Sequence, residues 1–149
     1  MTERNKITQM DAFLIETIRA NGISNQELLE KVKQGNVSEW KNFNPHFDFT
    51  RLVDLYQQDT ETLSCILNDG YTLKFVTIKG IQRLLRLKFG MEADKDYRHT
   101  ENGLSGISVT EKQLAVINDM LSPNWTIHVD ATSDKINYEI SILQTYALN

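Results

Sequence analysis

The sequence predicts one α+β domain over residues 1–149, in which N-terminal helices precede a ββ-α-α-ββ arrangement. A four-stranded, mostly antiparallel sheet is expected to pack against the helices. Apolar residues recur at helical spacing early in the chain, whereas residues 62–76 and 125–142 alternate apolar with polar side chains. A chain of 149 residues, 40% of them hydrophobic, can bury one substantial core. An alternative division separates residues 1–60 as a small helical lobe.

Residues 8–34 predict two helices joined by a short turn. Thr8 is placed to cap the first helix, and Gly22 supplies a stop signal after it. Ser24 opens the second helix, and Glu27 three residues later completes the Ser-x-x-Glu form of a capping box. A helix, a tight turn and a second capped helix also resemble the outline of a DNA-binding helical pair. DNA binding by residues 8–34 is therefore kept as an alternative hypothesis.

Residues 36–49 have no apolar period and predict a packed loop. Asp48 is placed to cap a short helix over residues 49–58. We expect the aromatic residues of the loop to fill the core rather than to form an exposed contact cluster for a partner. These residues are Trp40, Phe43, Phe47 and Phe49.

Residues 62–76 predict a β-hairpin. Asp69-Gly70 stands between two alternating segments, and an Asp-Gly pair is typical of tight hairpin turns because glycine supplies a positive φ. Cys65 would then lie on the apolar face as a small core residue. The inward-facing positions would be Leu63, Cys65 and Leu67 on one strand and Tyr71, Leu73 and Phe75 on the other.

The segment 78–89 predicts a helix that begins after the capping residue Thr77 and ends at Gly90. Residues 91–107 are polar and rich in turn formers, so they predict a mobile loop. A second capping box at residues 108–111 predicts a helix through residue 121.

The C-terminal part of the chain predicts a second hairpin. Residues 125–130 and 136–142 alternate between apolar and polar side chains, and the sequence "ATSDK" would turn the chain between them. Each strand has one apolar face, as expected of an antiparallel sheet that helices cover on one side.

Composition restricts the classes of function. A net charge of −4 and a pI near 5.4 argue against a protein that coats nucleic acid with its entire surface. The single cysteine, Cys65, excludes an internal disulfide and a cysteine-based zinc cluster. Mixed charges near the N-terminus and the lack of a long apolar run predict a cytoplasmic protein that does not enter a membrane.

No catalytic motif stands out, so the sequence predicts a non-enzymatic protein without a cofactor or metal. Phosphate-binding, dinucleotide-binding and nucleophile-elbow patterns are absent. The three histidines are far apart in sequence, and an enzyme would need a folded pocket that joins His99 or His128 to a carboxylate. The simplest expectation places His128 on the solvent side of its strand, opposite Glu139.

The helix over residues 78–89 carries only basic charges. At about 100° per residue, Lys79, Arg83 and Arg86 share a stripe about 60° wide, opposite an apolar arc that Lys88 interrupts. No acidic residue lies one turn away from them, although like charges at this spacing repel. The stripe therefore predicts an acidic partner, inside the fold or outside it.

Three partners fit the stripe: carboxylates of the same chain, an acidic protein surface, or phosphates. The chain's own candidates are Glu92, Asp94 and Asp96. We expect a cytoplasmic regulatory protein or adaptor that binds an acidic protein surface, and the alternative is a small nucleic-acid-binding regulator that uses the same helix or the pair at 8–34. The predicted partner-binding residues are Lys74, Lys79, Arg83 and Arg86.

Overall fold

Six α-helices and six strands follow one another in residues 4–132 and 137–145, which are the residues that the computed structural model describes. The mixture of helices with an antiparallel sheet confirms the predicted α+β class. The helices are α1 (Gln9–Ala20), α2 (Asn25–Gln34), α3 (Thr50–Gln58), α4 (Thr62–Asp69), α5 (Ile78–Phe89) and α6 (Glu111–Met120). The strands are β1 (Asn5–Ile7), β2 (Tyr71–Leu73), β3 (Arg98–Thr100), β4 (Gly103–Thr110), β5 (Trp125–Thr132) and β6 (Asn137–Gln144).

Four strands form an antiparallel sheet in the order β3-β4-β6-β5. The β5–β6 pair confirms the predicted C-terminal hairpin, while residues 133–136 of its expected turn lie outside the described residues. At Gly103 the β4 and β6 backbones approach so closely that a Cβ would overlap the carbonyl oxygen of Ile142. The inner face of the sheet buries Ile107, Ile140 and Ile142 against α6.

The hairpin predicted for residues 62–76 is wrong. Residues 62–69 form α4 instead, because Leu63, Ile66 and Leu67 are buried at the i, i+3, i+4 spacing of a helix. Gly70, with a φ of 92°, ends that helix rather than turning a hairpin.

The second half of that segment pairs with a distant partner. Strand β2 lies parallel to β1, and together they form a separate two-stranded sheet that the sequence did not predict. Consequently, Cys65 is exposed on α4 rather than buried in a strand, and Phe75 lies beyond β2 with 59% of its surface exposed.

The mobile loop predicted for residues 91–107 is also wrong in its second half. Residues 98–100 and 103–110 form β3 and β4, and the latter pairs with β6. The capping box is made by Thr110 and Gln113, two residues later than predicted, because the β4–β6 ladder extends to Thr110.

The predicted caps of the first two helices are confirmed, although no return bond from the Glu27 side chain completes the capping box at Ser24 among the described residues. Thr8 and Ser24 accept backbone hydrogen bonds at the starts of α1 and α2, and Gly35 ends α2 in the left-handed conformation. The aromatic loop packs into the core, where Trp40 and Phe47 both contact the edge or face of Phe49.

A buried ion pair joins α1 to α5. The ammonium group of Lys88 lies 2.8 Å from a carboxylate oxygen of Glu16, whose side chain is 3% exposed. The Tyr71 hydroxyl donates to the same oxygen at 2.7 Å, and the Arg19 guanidinium lies 3.4 Å from it. The Glu16 carboxylate therefore has three donors, which offset the cost of removing its charge from water.

Contacts along the two helices show that α1 and α5 run in the same direction. The Gln9 side chain accepts a hydrogen bond from the Thr77 backbone at the start of α5, and Glu16 meets Lys88 at its end. Between these points Phe13 lies under Arg83. The parallel packing aligns the apolar faces of both helices and turns the opposite face of α5 outward.

Replacing Lys88 by Met should lower the free energy of unfolding by about 3–5 kcal/mol, because it leaves the Glu16 carboxylate buried with an incomplete set of partners. Replacing Lys31 by Met provides the control, since its ion pair with the exposed Glu39 should contribute less than about 1 kcal/mol. Urea denaturation measures both. Equal losses in the two variants would contradict the structural importance assigned to the buried pair.

Tyr71 should make the protein less stable at alkaline pH. Burial, and then the neighbouring Glu16 carboxylate, raise the pKa of Tyr71 well above its usual value of 10.0. The unfolded chain can release this proton above pH 10 while the folded protein retains it, so the stabilisation is complete below that pH and is lost as pH rises. Replacing Tyr71 by Phe should flatten the decline in the unfolding free energy between about pH 9 and 11.

Candidate functional site

A groove of about 340 Å³ runs between α5 and the loop that follows it. We call it the α5 groove. Four α5 residues at i, i+3, i+4 and i+7 form one wall, and the loop forms the other. The helical wall consists of Lys79, Gln82, Arg83 and Arg86, and the loop wall consists of Met91, Glu92, Ala93 and Tyr97.

The helix that carries this wall has the predicted bounds. Thr77 caps it by accepting a hydrogen bond from the Gly80 amide, and Gly90 ends it in the left-handed conformation. Ile81, Leu84 and Leu85 are fully buried. Because these residues fix the orientation of the helix, the basic stripe necessarily lies on its accessible side.

The three cations of the groove have no carboxylate partner in the described part of the chain. None of Lys79, Arg83 and Arg86 forms an ion pair or donates a hydrogen bond to another described residue. Glu92 lies on the opposite wall but is not ion-paired with them. Pairing with the chain's own carboxylates, one of the three interpretations of the stripe, is therefore not found here.

Arg83 is held in place by aromatic rings. Its guanidinium carbon lies 5.0 Å from the ring centre of Phe13 and 5.4 Å from that of Phe47. A contact with ring faces restricts the guanidinium, and Arg83 donates no hydrogen bond to another described residue, so its N–H groups remain available to a carboxylate or phosphate. The helical spacing located Arg83, but only the folded chain brings these rings beneath it.

The loop wall is held by its own hydrogen bonds. The Glu92 amide donates to the Asp96 carboxylate at 2.8 Å, and the Asp94 amide donates to the Tyr97 carbonyl at 2.7 Å. Burial raises the pKa of Tyr97, which lines the groove opposite Gln82. The groove therefore lies between a helix and a loop that is held by its own hydrogen bonds.

Lys74 lies apart from the other predicted binding residues. It follows β2 and lines two different grooves, both of which it shares with Lys6. The fold therefore brings together Lys79, Arg83 and Arg86 of the predicted set, but not Lys74. Lys88, which interrupted the apolar arc in sequence, belongs to the buried pair with Glu16.

The histidines do not gather into a metal site. No group of three or more histidine, cysteine, aspartate or glutamate side chains in residues 4–132 and 137–145 is placed to hold an ion. His128 is exposed, as predicted, but lies opposite Ser141 rather than Glu139. Ser141 and His128 both hydrogen-bond to Asp130 and hold the pKa of its carboxyl below the usual range.

Comparisons with known proteins find no matching family model, no matching curated protein and no matching solved structure. Within the described helices, none has the length and apolar character that crossing a membrane requires.

Replacing Arg83 by Lys should lower the free energy of unfolding by about 0.5–1 kcal/mol, because the charge stays while the planar contact with Phe13 and Phe47 is lost. Arg86 is the matched control, since it lies on the same face and has no ring contact among the described residues. Its replacement by Lys should have almost no effect in urea denaturation. A similar loss in both variants would indicate a general effect on α5 and not stacking.

Proposed function

We propose that the protein acts as a non-enzymatic regulator or adaptor that binds an acidic segment of another protein in the α5 groove. One observation carries the proposal: three cations line one groove without a carboxylate partner among the described residues. Exposed cations of like sign repel one another at this spacing. An acidic ligand would remove that repulsion.

The geometry of the groove suits carboxylates. Arg83 offers an oriented fork for one carboxylate, while Lys79 and Arg86 lie one turn to either side of it. Glu92 on the loop wall would repel a ligand that was negative along its whole length. A segment with two or three acidic residues, spaced to meet the helix and to avoid Glu92, fits these charges best.

Charge would guide association more than it would determine affinity. The chain as a whole is acidic, so most of its surface repels an acidic partner, and the α5 groove is a local region of opposite sign. Such complementarity orients the encounter and raises the association rate, whereas each exposed ion pair contributes little affinity.

The nucleic-acid alternative has less support. The groove has an acidic residue on its wall, and Asp94 and Asp96 flank it in the same loop, where they would repel a phosphate backbone. In the helical pair, Asn25 bonds the Leu67 carbonyl and Lys31 pairs with Glu39. Both side chains are therefore already engaged with the chain itself.

Fluorescence anisotropy tests the proposal with two labelled ligands: a peptide that carries three aspartates at helical-turn spacing, and a duplex DNA. A triple variant with Lys79, Arg83 and Arg86 changed to Ser should bind the peptide about ten-fold more weakly than the wild type. A control with Lys33, Lys41 and Lys112 changed to Ser removes the same charge from other exposed positions and should retain most of the affinity.

Equal peptide binding by the wild type and the triple variant would overturn the proposed function. Tighter binding to the duplex than to the peptide, with a logarithmic salt slope of about −0.9 per phosphate contacted, would favour the nucleic-acid alternative instead.

A further inference from the structure

The cations of the α5 groove are concentrated on two turns of one helix. Lys79 lies four residues before Arg83, and Arg86 lies three residues after it, so both are neighbours of Arg83 on the helix surface. The rise along the axis from the first cation to the last is about 10 Å. Three positive charges therefore face one small region centred on Arg83.

The donors in this region suit a group with several acceptor oxygens. Arg83 and Arg86 each have a planar guanidinium that can bind two oxygens at once, and Lys79 adds a compact charge. None of the three pairs with a carboxylate of the described chain. A carboxylate offers two oxygens and one charge, whereas a phosphoryl group offers three oxygens and a charge of about −1.5 to −2 at neutral pH. Two neighbouring guanidinium groups can therefore share one phosphoryl group.

The opposite wall limits how far negative charge can extend. Glu92 lines the groove, and Asp94 and Asp96 are exposed in the same loop. A ligand whose charges are spread along its length would meet these carboxylates and be repelled. A ligand with its charge concentrated in one group above α5 avoids them. The helix and the loop together therefore favour a compact dianion over a series of single charges.

Arg83 is suited to bind the centre of such a group. Its guanidinium carbon lies 5.0 Å from the ring centre of Phe13 and 5.4 Å from that of Phe47. Arg83 is half-buried, while Lys79 and Arg86 are exposed. The contacts with the rings already restrict the Arg83 side chain, so it loses less conformational entropy on binding than a free surface arginine would lose.

Apolar surface in the groove can accommodate the chain that carries the charge. Met91, Ala93 and the ring of Tyr97 line the loop wall beside Glu92. Side chains on either side of a phosphorylated residue can contact this surface, whereas inorganic phosphate has no part that would do so. The apolar surface therefore favours a phosphorylated protein segment over a free anion.

We propose that the α5 groove binds a segment of a partner protein that carries one phosphorylated side chain. The phosphoryl oxygens accept hydrogen bonds from Arg83 and Arg86, Lys79 adds a third positive charge, and uncharged neighbouring residues lie along Met91 and Ala93. This inference rests on the function proposed for the groove and names the chemical group that the partner presents. Phosphorylation of the partner would then switch the interaction on, and dephosphorylation would switch it off.

Fluorescence anisotropy with matched peptides tests the inference. The peptides share one otherwise uncharged sequence and differ only at the central residue, which is phosphoserine, aspartate or serine. The phosphoserine peptide should bind about ten-fold more tightly than the aspartate peptide, because it has one more charge and one more acceptor oxygen. The serine peptide should bind more weakly than either.

Arginine-to-lysine variants separate hydrogen-bond geometry from charge. Changing Arg83 and Arg86 together to Lys keeps the charge but removes both planar donors, and it should weaken phosphoserine binding about ten-fold. Changing Arg98 to Lys is the matched control, since this exposed arginine lines a different groove, and it should leave binding unchanged. Equal affinity of the double variant and the wild type would contradict shared guanidinium binding.

Competitors identify the source of the phosphoryl group. Inorganic phosphate should displace the phosphoserine peptide only at concentrations at least about ten-fold above the Kd of the peptide. Equal competition by inorganic phosphate, or tighter binding to vesicles that contain phosphatidylserine, would overturn the inference in favour of a free anion or a membrane.

The same measurements distinguish failure of this inference from failure of the proposed function. Equal affinity for the phosphoserine and aspartate peptides would overturn the inference alone. Peptide binding that is unchanged when Lys79, Arg83 and Arg86 are all replaced by Ser would overturn the function proposed for the groove, and the inference with it.

Discussion

The buried ion pair between Glu16 and Lys88 is the interaction on which the arrangement of the molecule depends. Each charge lies on the apolar face of its own helix, so packing α1 on α5 without this contact would bury two unpaired charges. The pair therefore selects one parallel register between two faces that are otherwise mostly apolar. The same register brings Phe13 under Arg83 and leaves the other cations of α5 facing the solvent. The position of the α5 groove thus follows from the helix packing that pairs the buried charges of Glu16 and Lys88.

In the function proposed for it, the α5 groove attracts an acidic partner through its side chains and not through its backbone. In the α5 groove the attraction comes from side-chain charges on a rigid helix, which fix where a carboxylate can sit but not the conformation of the segment that carries it. A protein that is acidic overall would repel acidic partners elsewhere on its surface. A local basic region therefore favours binding of an acidic partner in a defined orientation over non-specific binding across the surface.

Prediction from sequence succeeded where the signal was local. The helix over 78–89 has its predicted bounds because a capping threonine and a terminal glycine act within one turn of each end. Prediction failed at residues 62–69. The apolar positions there fit both a two-residue and a helical period, and the following Asp-Gly pair favoured a hairpin. The Glu16–Lys88 pair was missed, although each is a lone charge among apolar positions of a predicted helix. Two such charges of opposite sign are a usable signal for a buried contact.

The sequence by itself determined the α+β class, most helix ends and the three-cation stripe of α5, because caps, periodicity and charge spacing act over a few residues. Tertiary structure alone decided that β1 pairs with β2, that Arg83 rests on two rings, and that Lys74 lies in a different groove from the stripe. Each of these features joins segments that are far apart in sequence, and their pairing depends on which apolar faces meet in the core. Single-residue patterns contain no information about that choice, since many partners would satisfy each face equally well.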